Sequence, residues 1–164
     1  MIDTLAKMQL AELNVGRLLA PTDDPRVAGF MVNLDRINSL GKRMPGFVWM
    51  VEGSGEPGAA NTSALIDDDA QYVPNLTVWE SVETLEKFVW STIYKQFFAR
   101  RSEWFEILGG MHFVMWCVPD GHRPTLDEAL SRLEMRRAQG DTAEAFGWDW
   151  LKEAQMYKTH RDPT

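Results

Sequence analysis

From Gln9 to Val15 apolar and polar residues alternate, with Ala11, Leu13 and Val15 on one face and Leu10, Glu12 and Asn14 on the other. That period of two predicts a first β-strand. Asp24-Pro25 then supplies a capping carboxylate and a proline suited to a helix start, and Val27, Phe30, Met31, Leu34, Ile37 and Leu40 recur at helical spacing as far as Gly41. After Pro45-Gly46, a second strand is predicted over Phe47 to Glu52. Residues 53–70 hold Gly53, Gly55, Pro57, Gly58 and the triplet Asp67 to Asp69, which predicts a solvated loop; it lacks the spacing of a calcium loop. Tyr72 to Trp79 reads as a third strand, with Pro74 pointing to an edge or a bulge.

Ser81 caps a long second helix, whose stripe of Val82, Leu85, Phe88, Val89, Ile93, Phe97 and Phe98 reaches towards Trp104-Phe105. His112 to Val118 is a fourth strand, and Thr125 to Glu128 reads as a capping box opening a third helix that ends at Gly140. The order β-α-β-β-α-β followed by a helix predicts an α+β, ferredoxin-like domain: four antiparallel strands with two helices on one face. The domain is expected over residues 1–146. Residues 147–164 form a tail whose Trp148, Trp150, Leu151 and Met156 call for cover by the domain or a partner chain.

Seven Trp, eight Phe and three Tyr lie among these runs. With helices on one face only, the other would carry Trp49, Trp79 and Trp116 and would need cover of its own. A second copy of the sheet is the simplest cover, so a homodimer enclosing an aromatic cavity is expected. At 164 residues and 45% hydrophobic composition the chain is one globular domain in size, and its net charge of -7 disfavours a nucleic-acid partner. No run approaches the ~20 apolar residues of a membrane span. The single Cys117 and the lack of a signal-peptide pattern suit a cytoplasmic protein.

The candidate chemistry is sparse. No Gly-x-Gly-x-x-Gly, phosphate loop or Cys-x-x-Cys is present, so no cofactor and no metal are expected. Of the three histidines, His122 falls in a Pro-rich turn and His160 in the tail. His112 alternates with Val114 and Trp116 and is either an acid or base facing the cavity or a strand-end side chain meeting solvent. Glu12 and Asn14 oppose the apolar set of their strand, and Asn75 and Thr77 fall on the side of Trp79. Their place is either the cavity, where desolvation would raise the pKa of Glu12, or hydrogen bonds across a dimer interface.

Six segments resemble a bacterial family, domain of unknown function 3291: Leu10 to Arg17, Asp23 to Phe30, Pro45 to Trp49, Asn75 to Ser81, Arg101 to Phe105 and Trp116 to Thr125. The resemblance covers roughly residues 8–146. It implies the dimeric α+β barrel superfamily, which includes antibiotic-biosynthesis monooxygenases and some haem-handling enzymes, and it transfers no catalytic residues. Where members commonly carry a histidine in the second helix, this chain has Tyr94. The expected function is a cofactor-independent enzyme that oxygenates, isomerises or cyclises a hydrophobic or aromatic small molecule. Glu12, His112 and Tyr94 are its candidate catalytic groups. Asn14, Trp49, Asn75, Thr77, Trp79 and Trp116 are its candidate substrate contacts. The alternatives are a non-catalytic binding dimer for a hydrophobic ligand and a haem-binding barrel.

Overall fold

The computed structural model describes residues 8–51, 69, 71–106 and 112–151, without the side chains of Thr92, Ile93, Tyr94 and Phe97. Four strands, β1 (Met8–Arg17), β2 (Phe47–Met50), β3 (Tyr72–Trp79) and β4 (Phe113–Pro119), form one antiparallel sheet in the order β2-β3-β1-β4. This is the ferredoxin-like α+β arrangement. β1 is central because both of its edges and both of its faces are used. It pairs Leu10 with Trp79 and Glu12 with Thr77 on one side, and Leu10 with Cys117 and Glu12 with Met115 on the other. Residues directly opposite in an antiparallel pair share a face. One face therefore carries Leu10, Glu12, Asn14, Thr77, Trp79 and Met115, and the other carries Ala11, Leu13, Val15, Leu76, Val78 and Trp116.

Helices cover both faces. Helices α1 (Ala28–Arg43) and α2 (Val82–Val89) lie over the Glu12 face, where Ile37, Leu85 and Phe88 join Leu10, Trp79 and Met115 in one apolar cluster. The opposite face is closed by α4 (Leu126–Gln139), whose Ala129 and Leu133 pack with Leu13, Val114 and fully buried Trp116. The expectation of one-sided cover is thus corrected. The pattern of α4 shows that it is amphipathic, but not which side of the sheet receives it. Trp116 is hidden within a single chain, so a bare Trp-bearing face no longer supplies a reason for dimerisation.

The expected long second helix is two helices, α2 and α3 (Thr92–Ala99). The break falls at Trp90-Ser91, where the Ser91 amide turns back to the Phe88 carbonyl while the Ser91 carbonyl accepts from Lys95. Serine favours such a helix start over a helix interior. Helix α1 runs past Gly41 to Arg43, and the Met44 amide closes its last turn on the Gly41 carbonyl at 3.0 Å. β3 is interior rather than an edge, pairing with both β1 and β2, and Pro74 stands opposite Val15 of β1. The irregularity falls instead in β2, between Phe47 and Trp49.

Gly46 turns α1 into β2 with φ +89°, and a β-carbon there would collide with Thr84. Thr84 completes the capping box of α2 with Ser81. Gly46→Ala is therefore expected to cost about 2–4 kcal/mol, combining left-handed strain with displacement of the cap. Chemical denaturation measures it; an unchanged midpoint would show that the turn relaxes freely.

After α4 the chain returns along the outer edge of β4, where Phe146 and Met115 exchange backbone hydrogen bonds of 2.7 and 2.9 Å. Phe146 and Leu151 are buried in the cluster under α1 and α2, and Trp148 stacks on Phe113 at 6.0 Å. Arg136 of α4 reaches the same edge, donating to the Phe113 carbonyl and to Asp141. Of the expected tail, residues 152–164, with Met156, lie outside the described residues. Among the described residues no helix is long and apolar enough to cross a membrane.

Candidate functional site

Along β1, on the face covered by α1 and α2, the side chains run Leu10, Glu12, Asn14 and Gly16. Thr77 and Asn75 of β3 stand beside Glu12 and Asn14, with Met115 and Phe113 of β4 on their far side. These polar residues form a strip between two apolar clusters. One is built on Trp79, Phe88, Met115 and Phe146. The other is built on Phe30, Leu34, Val73 and Trp104, with the Phe105 ring lying over Gly16 so closely that a β-carbon would fall 2.7 Å from it. The strip exists because β1 interrupts its inward apolar alternation with a carboxyl and an amide.

Glu12 is only 5% exposed. Burial pushes its carboxyl up from 4.5 to about 8, and a hydrogen bond from Thr77 works in the opposite direction. Desolvation wins because ionising a carboxyl away from water is costly, whereas one neutral donor recovers only part of that cost. Glu12 is thus mainly a neutral acid at pH 7. Thr77 Oγ1 donates to Glu12 Oε2 at 2.5 Å and accepts from Trp79 Nε1 at 2.9 Å. The indole is itself fixed between Phe88, stacked at 5.3 Å, and the Phe47 ring, edge-on at 5.4 Å. Asn75 Oδ1 is buried with no hydrogen-bond partner among the described residues. A buried acceptor left unpaired costs about 1–3 kcal/mol, which a ligand donor would recover.

The sequence-derived site residues separate into two groups. Glu12, Asn14, Asn75, Thr77 and Trp79 share one face and one neighbourhood. Trp49 and Trp116 stand on the opposite face with Val78 and Ala11, so the expected cavity wall of three tryptophans does not form. His112 precedes β4 on the alternation of Val114 and Trp116 and is likewise on the far side from Glu12; its carbonyl accepts from Val15. Tyr94 belongs to α3, and its side chain lies outside the described residues. Sequence reasoning missed Met50 and Met115, which flank the Glu12–Thr77 pair, and Phe113, which flanks Asn14. Parity within β2 and β4 signals them once the register is known.

Two other polar clusters serve the frame. Glu128 opens α4, where Thr125 caps its amide, but its carboxylate leaves the expected capping box to accept from Trp116 Nε1 at 3.2 Å and to meet His122 Nε2 at 2.8 Å. The anticipated structural role of His122 is realised there. Asp69, expected in a solvated loop, instead accepts from Arg17 at 2.9 Å, and the same guanidinium contacts Glu106 and lies over the Tyr72 ring. Among the described residues no group of three His, Cys, Asp or Glu could hold a metal ion.

A four-stranded antiparallel sheet in the order β2-β3-β1-β4, packed against helices, defines an α+β domain of the ferredoxin-like class. The chain belongs to the family described as Domain of unknown function (DUF3291), which matches residues 9–162. Among solved structures it is similar to a protein of Pseudomonas aeruginosa at 9% identity and TM-score 0.46, over 70% of this chain and 96% of that one. It is similar to a conserved protein from Methanosarcina mazei Go1 at 12% identity and TM-score 0.46, over 69% and 93%. A candidate antibiotic biosynthesis monooxygenase from Nitrosomonas europaea resembles it at 8% identity and TM-score 0.45, over 73% and 96%. No protein of curated function matches the sequence significantly.

Proposed function

We propose that the protein is an enzyme of small-molecule chemistry in which Glu12 exchanges a proton with a bulky apolar or aromatic substrate held beneath the helix layer. The observation that carries this reading is the buried Glu12 carboxyl, raised to about 8 and contacted among the described residues by one hydroxyl donor, Thr77. A structural carboxylate would be expected to gather several donors or a cation, as Asp69 does with Arg17 and the Gln71 amide. An acid whose pKa lies near neutrality is instead poised both to give and to take a proton.

The surroundings of Glu12 suit a substrate of that kind. Met115 and Phe113 offer apolar walls, and Asn75 Oδ1 offers an acceptor for a hydroxyl or N–H group. Isomerisation and cyclisation fit best, since each can proceed by carrying a proton from one substrate atom to another. A low-dielectric setting strengthens the hydrogen bond between the acid and a substrate oxygen beyond its worth in water.

Native mass spectrometry of the purified protein is the route to a substrate, through any small molecule that accompanies it. With that molecule or its analogue, Glu12→Gln is expected to keep the fold and lose roughly 10²–10⁴-fold in turnover. The unmodified protein should be active below pH 8 and lose activity as the acid ionises above it. Full activity in Glu12→Gln would remove Glu12 from the mechanism, and ligand binding without turnover in the unmodified protein would make it a binding protein.

A further inference from the structure

We infer that Trp79 and Thr77 act as positioning residues that fix the acidic proton of Glu12 on Oε1, leaving Oε2 as the carbonyl oxygen. The argument is one of donors and acceptors. An indole N–H can only donate, so the 2.9 Å contact makes Thr77 Oγ1 the acceptor from Trp79 Nε1. The hydroxyl has one proton of its own, and at 2.5 Å its acceptor is Glu12 Oε2. An oxygen that receives this hydrogen bond serves best as the carbonyl of the neutral acid. The reverse arrangement, with Oε2–H donating to Thr77, would leave the threonine proton in a buried site without an acceptor among the described residues.

The order Trp79 Nε1–H to Thr77 Oγ1–H to Glu12 Oε2 is therefore directional, and each bond polarises the next. Its first member is held rigidly, since Trp79 is 1% exposed and clamped by Phe47 and Phe88. Burial and the Thr77 hydroxyl act on the carboxyl in opposite directions, and burial is the larger influence. Rotation of the carboxyl would exchange the roles of its two oxygens. The relay opposes that exchange and keeps one oxygen, Oε1, as the donor presented to a substrate. A substrate atom that is to be protonated must then meet Oε1, which makes Trp79 a determinant of where the proton is delivered without touching the substrate.

This inference rests on the reading of Glu12 as the proton-transfer group, but its test needs neither substrate nor turnover. The carbonyl stretching band of protonated Glu12, identified as the band lost in Glu12→Gln, is expected to move to higher frequency in Thr77→Val. That variant keeps the branched shape while removing the hydrogen bond to Oε2. In the unmodified protein the Trp79 Nε1–H resonance is expected to titrate with a midpoint near 8, through the intervening hydroxyl, and to become flat in Glu12→Gln. This second measurement requires no change at Trp79. A carbonyl band that stays in place in Thr77→Val overturns the inference, and so does a Trp79 resonance that ignores pH in the unmodified protein. Relay signals absent from the unmodified protein, alongside loss of turnover in Glu12→Gln, would overturn the inference and leave the enzymatic reading standing. Relay signals present in the unmodified protein, with full activity in Glu12→Gln, would discard that reading and keep the relay.

Discussion

Relative to Glu12→Gln, the unmodified protein is expected to lose about 5 kcal/mol of stability as the pH rises from 4.5 to about 8. The direction follows from proton counting. In the unfolded chain Glu12 ionises near 4.5, while in the folded protein it holds its proton up to about 8. Between those values the folded state binds more protons, so raising the pH favours unfolding. The advantage of the neutral folded form is complete below 4.5 and is lost as the pH passes through 8. Above that point the folded state must carry an anion beneath an apolar helix layer or open to hydrate it. Urea denaturation of both proteins at a series of pH values measures the effect. A stability difference that stays flat across the range would show that Glu12 is not held as a neutral acid.

The second large effect is expected on the other face of the sheet. Trp116 is fully buried against α4 and donates its indole N–H to Glu128. Trp116→Ala should cost about 3–5 kcal/mol through the cavity it leaves and the apolar contacts it removes. Because its cover comes from α4 of the same chain, the loss should be the same at every protein concentration. A destabilisation that grew on dilution would mean that a second copy shares in covering Trp116, since linked association makes stability depend on concentration. Thermal melts at two concentrations a hundredfold apart separate these outcomes.

Much of the framework was legible because neighbouring residues dictate it. Tyr72 to Trp79 reads as a strand and is one, and Asp24-Pro25, Ser81 and Thr125 each mark a helix start that the chain uses. The polar strip was legible for the same reason: alternation alone sets Glu12 and Asn14 apart from Ala11, Leu13 and Val15. What alternation within a strand lacks is the phase between strands. Trp49 and Trp79 look equivalent in sequence, yet pairing of Trp49 with Val78, after the irregularity at Phe47, sends them to opposite faces. Nor does the pattern of α4 say which face it covers; its packing on Trp116 removes one-sided helix cover as a reason for a second chain. Trp90-Ser91 divides the second helix by a competition between helix interior and helix start that apolar spacing does not register.

The central place of β1 also has a consequence for how the chain assembles in time. Leu10 is among the first of the described residues to be synthesised, yet its two cross-strand partners are Trp79 and Cys117. Until β4 has emerged, one edge of β1 stays open and the apolar set Ala11, Leu13 and Val15 has no finished surface to join. Such distant pairings slow folding, because a long stretch of chain must be closed before the contact gives anything back. A growing chain therefore carries an unsatisfied strand for most of its synthesis, a state prone to mispairing with its neighbours. Phe113 to Pro119 complete the pairing of β1, and α4, synthesised next, covers its Ala11, Leu13 and Val15 face, so the window for aggregation closes only with that helix.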